Sequence, residues 1–257
     1  MAQFGFGSGL MWMTPKADAY GNTVAVPTPL LVGVLQDGGV DIDFDLKTLF
    51  GQNQFAVAAA RGKGKIAGKA KFGQISGALM NAAVFGQASS GTLTTAQYDT
   101  SGAVIPAMPF AITVAPANSG TFTRDLGVIG SSGLAFTRVA SSPASGQYMV
   151  DAVGKYTFAS VDAGKQVYIN YEYTVSGANA PTAQTTTVKN LPMGYAPNFA
   201  LDLMVPFEGK TMKISLLKCV SKKLGLTTKQ DDFMIPEIDF EALDDGFGNI
   251  LKYSTAE

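Results

Sequence analysis

The sequence predicts a β-dominated α+β protein. Strand- and turn-forming Gly, Thr, Val, Ala and Phe are abundant, with Gly alone contributing 29 of 257 residues. Short strand-like runs recur roughly every eight to twelve residues through the middle of the chain, whereas only residues 74–85 carry helical spacing. Apolar residues make up 46% of the chain and charged residues 15%, core material enough for one large β domain or two small ones.

Residues 1–29 mix Gly5, Gly7 and Gly9 with Phe4, Phe6, Met11 and Trp12 and show no sustained period. This predicts an extended assembly arm whose large apolar groups seek a groove, in the same chain or in a neighbouring copy. Residues 30–35 read as a strand, Asp37-Gly38-Gly39 as a turn and residues 40–45 as an alternating strand, together a β-hairpin. An apolar segment, 55–60, leads into the basic run Arg61, Lys63, Lys65, Lys69 and Lys71. In residues 74–85, Ile75, Leu79 and Ala82/Ala83 share one helical face, and Gly86 is placed to stop the helix.

From about Ala88 to Asn190 the composition shifts to Ser, Thr, Ala, Gly and Pro. Strand-like runs at 110–114, 121–123, 135–139, 148–150, 155–158 and 166–175 predict a β-rich, Ig-like or sandwich-like insertion. Tyr168 and Tyr171 give the last of these an aromatic, half-buried character. The remaining core, residues 1–87 and 191–257, closes with strands at 199–205 and 211–216 around a Glu208-Gly209 turn, then residues 232–241 and a turn at 244–249.

Histidine is absent, which removes the commonest general base, His-activated nucleophiles and every His-ligated zinc site. Cys219 is alone among apolar neighbours, so it forms no intrachain disulfide and reads as a packed thiol. With 19 basic and 20 acidic residues the net charge is −1, and no overall cationic field captures nucleic acid. No apolar run approaches the ~20 residues that span a bilayer, and the first residues lack a secretory leader, so no membrane insertion is expected and the product accumulates in the cytosol where it is made.

Candidate motifs fail on spacing. Gly5, Gly7 and Gly9 lack the preceding strand and third glycine of a dinucleotide loop. Gly62 to Lys69 misses a phosphate-binding loop by one residue and has Ala70 where Ser or Thr is required. Asp41, Asp43 and Asp45 lack the glycine and distant glutamate of a calcium loop. They fit an amphipathic strand with Ile42 and Phe44 on its other face, and Glu237, Asp239 and Glu241 repeat that grammar around Ile238 and Phe240. No catalytic, cofactor or metal site is expected. If copies close into a ring, the six acids form a negative band that repels a DNA backbone, while the basic run complements acidic groups on an adjacent ring.

Residues 49–71 and 231–242 resemble stretches of bacteriophage major tail tube proteins, and Gly154-Lys155-Tyr156-Thr157-Phe158, Asp162-Ala163-Gly164 and Tyr171-Glu172-Tyr173-Thr174 are similar to segments that recur in phage tail structural proteins. The resemblance implies a β-sandwich or half-barrel tail-tube fold with one flanking helix, and six copies per ring. It also implies rings stacked into a tube for genome ejection, located in the virion. Implied partners are further copies of the chain, a tape measure protein, a tail terminator, baseplate or tip proteins, and a sheath where the tail contracts, with phage DNA passing without specific binding. Two other readings stand beside it: a capsid decoration or receptor-binding virion protein, suited by the Ser/Thr/Gly-rich middle, and a glycosidase built on a carboxylate pair.

Overall fold

The structure is a computed structural model and describes residues 5–179 and 184–255. It is β-dominated. The strands in chain order are β1 (Leu10–Ala17), β2 (Leu30–Val32), β3 (Leu35–Phe50), β4 (Ala56–Phe72), β5 (Ser89–Ser90), β6 (Thr92–Gln97), β7 (Ala103–Val104), β8 (Ala111–Thr113) and β9 (Thr121–Gly130). They continue as β10 (Thr137–Arg138), β11 (Gln147–Val150), β12 (Lys155–Phe158), β13 (Gln166–Ser176), β14 (Thr185–Thr186), β15 (Asn198–Phe207), β16 (Lys210–Gly225), β17 (Glu237–Ala242) and β18 (Leu251–Ser254). The chain divides into two compact units, Met1–Ala88 with Thr186–Glu257, and Ser89–Thr185.

The first unit is built on an eight-stranded sheet in the order β2-β1-β15-β16-β17-β4-β3, with β18 also on β16. Period-two alternation aims one face of each strand inward: Met11 and Met13 from β1, Phe199, Leu201 and Leu203 from β15, and Ile238, Phe240 and Ala242 from β17 are all buried. The helical segment α1 (Gly77–Met80), continued by a π-type turn through Phe85, adds Leu79 and Ala83 to this core. Ser76 caps it by accepting a hydrogen bond from the Leu79 N–H, and Gly86 ends it in the left-handed conformation (φ 55°).

Two expectations change in this unit. Residues 10–17 of the expected arm form a regular strand of their own chain's sheet, second from its edge and paired with β2 and β15. Met11 and Met13 supply its alternation, a pattern masked by the intervening aromatic Trp12. Asp37-Gly38-Gly39 is not a turn: β3 runs through it and pairs with β4, while β2 pairs with β1. Gly38 and Gly68 answer crowding from neighbouring residues, whereas a Cβ on Gly39 would meet nothing. A Cβ on Gly38 would approach Leu35 and Met11 at 3.1 and 3.2 Å, and one on Gly68, opposite Val40, would lie 2.6 Å from the Gly39 carbonyl and the Phe240 ring.

The second unit has two four-stranded sheets, β10-β11-β12-β8 and a sheet in which β13 pairs with β6, β7 and β9. Their side chains share one core: Tyr148, Tyr156 and Phe158 from the first, and Val167, Ile169, Tyr171, Tyr173 and Val175 from β13. Tyr168, on the opposite face of β13, is only half-buried.

Candidate functional site: a projecting hairpin and its charge ladder

The β3–β4 hairpin has two different halves. Near its base, Leu35, Ala70 and Phe72 are buried in the sheet core. Beyond Val40, however, every residue of β3 is exposed, as is every residue of β4 up to Lys65. The exposed residues are not polar. Ile42, Phe44, Leu46, Leu49, Phe50, Phe55 and Val57 are between 45% and 83% exposed. A strand pair of this length leaves apolar groups in water, whereas lone hairpins are marginal in water and contiguous apolar patches on soluble monomers are usually small. Arg61 lies over the Phe44 ring at 4.6 Å, a side-chain contact added to the backbone ladder that runs on to Phe50 and Ala56.

The acidic rows and the basic run, separate in sequence, meet on one face. In the ladder, Lys71 stands between Asp37 and Glu237, Lys69 between Gly39 and Asp239, and Ala67 between Asp41 and Glu241; Asp43 faces Lys65. Ion pairs follow from that register: Lys69–Asp37 at 3.0 Å, Lys71–Glu237 at 3.6 Å, Lys223–Glu237 at 3.0 Å and Lys222–Glu241 at 2.5 Å. Lys223 beside Glu237 and Lys222 beside Glu241 hold those carboxyls below the usual range, while Asp37 raises the Lys69 ammonium. The face is therefore one of alternating charge, and the two acidic strands do not stand alone as a negative band. Asp45 falls in the bulge between Phe44 and Leu46, and Arg61 and Lys63 lie on the exposed half.

Of the expected arm residues, Phe4 lies outside the described residues. Phe6 is 78% exposed with its ring 6.1 Å from that of Phe207, Met11 is fully buried, and Trp12 is half-buried between Leu31 and Asp202 in the ladder. Burial pushes the Cys219 thiol up to about 12, so it stays protonated and unreactive.

Sequence reasoning missed the buried acids of the second unit. Asp125, its side chain 5% exposed, accepts hydrogen bonds from the Tyr148 and Tyr156 hydroxyls at 2.7 and 3.0 Å. Burial, reinforced by that carboxylate, pushes both phenols upward. Asp162 accepts from the Ser145 hydroxyl, the Gly146 N–H and the Lys165 ammonium. Burial opposes its ionisation, but these donors outweigh burial and hold its carboxyl below the usual value. Both acids are saturated by structural partners, which makes them pins between turns and strands. Open hollows of about 560 and 340 Å³ adjoin the Gly130–Ser131 turn, the second lined by Tyr98, Tyr168 and Asn170. Among the described residues no cluster of three or more acids or thiols is arranged to hold a metal ion. In comparisons with known proteins, no family model and no curated protein matches the chain.

Proposed function

We propose that this chain is a non-enzymatic, self-assembling structural protein whose copies pack through the outer β3–β4 hairpin, and that the assembly is the ring-stacked tail tube of a bacteriophage. The observation that carries self-assembly is the hairpin itself: apolar side chains on both faces of two long strands, left in water by a single copy. The tube form rests on the sequence resemblance of residues 49–71 and 231–242, which include all of β4 but Phe72 and the acidic strand β17. In this reading six copies close a ring, rings stack, and the tape measure, terminator and baseplate or tip proteins meet the tube at its interior and ends. The alternating-charge face suits a conduit, because Lys69, Lys71, Lys222 and Lys223 are already engaged by carboxylates and offer DNA phosphates little.

Negative-stain electron microscopy of the purified protein over a concentration series tests this. Six-fold rings or hollow tubes are the expected result. A discrete trimer would overturn the tube in favour of a capsid decoration or receptor-binding virion protein, a reading that the open hollows of the second unit favour.

A further inference from the structure

One loop architecture occurs twice in the first unit. In Asp18–Asn22 and in Asp245–Asn249, the aspartate N–H donates to the asparagine carbonyl at 3.0 Å. In each, one carboxylate oxygen accepts from the backbone N–H groups two and four residues on, and the other accepts from the asparagine side-chain amide. Each loop has a left-handed glycine before the asparagine, Gly21 (φ 84°) and Gly248 (φ 83°), and each projects an aromatic from its centre. In the first loop that aromatic, Tyr20, rests edge-on against Tyr195 at 6.0 Å. In the second it is Phe247, 88% exposed and, among the described residues, touching no other ring. A large side chain fixed on a closed loop and left unpartnered is a preorganised anchor, since little freedom remains to be lost on docking.

The same unit has a hollow of matching character. On the outer hairpin, the pairs Lys47–Ala60, Thr48–Ala59 and Leu49–Ala58 surround a depression of about 260 Å³. A cavity of about 150 Å³ already holds a benzene ring. Lys47 charges its rim, and Asp244 and Asp245 immediately precede the anchor loop's tip.

We propose that Phe247 of one copy inserts into the Lys47–Leu49/Ala58–Ala60 hollow of a second copy, with Asp244 and Asp245 brought to Lys47. Knob and hollow lie on different elements, so each copy offers both, and when the contact is made in one direction it propagates from copy to copy until a ring closes or a stack extends. The proposal rests on the self-assembly reading and adds the contact that directs it.

The test incorporates p-benzoylphenylalanine at position 247, which keeps an aromatic ring there, irradiates the assembled protein, and identifies cross-linked peptides by mass spectrometry. Cross-links joining the 247 peptide to residues 47–60 of another copy are expected. Phe247→Ala is expected to raise the concentration needed for assembly about tenfold or more, with an unchanged melting temperature for the subunit. Assemblies that form but cross-link elsewhere, or in which Phe55 or Phe233 proves to fill the hollow, overturn the contact alone. A wild-type chain that remains monomeric at every concentration overturns self-assembly and this contact together.

Discussion

The two halves of the β3–β4 hairpin share one backbone ladder and one register, yet differ in what their side chains do. At the base, Phe72 and Ala70 meet Phe240, Leu79 and the β15 residues in a common core. In the outer half, Leu46, Leu49 and Phe50 are as apolar as anything in that core and meet mainly water. Hydrogen bonding alone thus does not distinguish the halves. What distinguishes them is whether a second layer covers the sheet, and in the outer half none of the chain's described residues supplies one; in the proposed assembly a second copy does. Burial belongs to the base, and the proposed association assigns its contacts to the outer half.

Mutations at each level separate these contributions. Phe72→Ala at the base removes a fully buried ring and is expected to cost about 3–5 kcal/mol, read by chemical denaturation of the monomeric subunit. Gly68→Ala puts a methyl group where the Gly39 carbonyl and the Phe240 ring already stand, and a loss of about 1–3 kcal/mol is expected in the same assay. A loss no greater than that of an ordinary surface substitution would mean the strands separate there without cost.

Along the charge ladder the effect is smaller and depends on pH. Glu237 and Glu241 have lowered folded-state values, so their contribution is fully present above the unfolded glutamate value of about 4.3 and fades as pH falls through the folded values. The melting temperature should therefore drop on acidification below about pH 4.3, and the Glu237→Gln variant should show a shallower drop. Equal slopes for the variant and the parent would remove Glu237 from the account. Smallest of all for the subunit is the double change Leu49→Ser/Phe50→Ser, expected within about 0.5 kcal/mol of the parent while abolishing assembly in light scattering. A large destabilisation of the monomer would instead show that the outer half is held by its own chain.

Much of this organisation was legible in the sequence. The β-rich class, the helical segment stopped at Gly86, the Glu208-Gly209 turn and the alternating β17 all follow from local periodicity and turn chemistry. Pairing was not legible, because register is decided by contacts remote in sequence. Asp37-Gly38-Gly39 has turn composition, and only the proximity of Met11 and Leu35 reveals why Gly38 stands within a continuous strand. The acids of β3 and β17 and the lysines of β4 were each visible, but their interleaving required knowing that β4 lies between the other two. Asp125 and Asp162 carried no motif; their only signal was to be acids in a stretch where acids are scarce.

The short strands β5 and β14 pair with each other where the second unit leaves and rejoins the chain. Paired strands lie about 4.8 Å apart, so from the first unit's standpoint the intervening segment is a loop whose ends are already closed. Loop-closure entropy grows only logarithmically with length, and the ladder holds those ends together whatever the loop contains. The first unit is therefore nearly indifferent to the size of what is carried between Ser90 and Thr185, and such a junction lets an entire β domain be gained, exchanged or trimmed to a tight turn without re-registering the sheet.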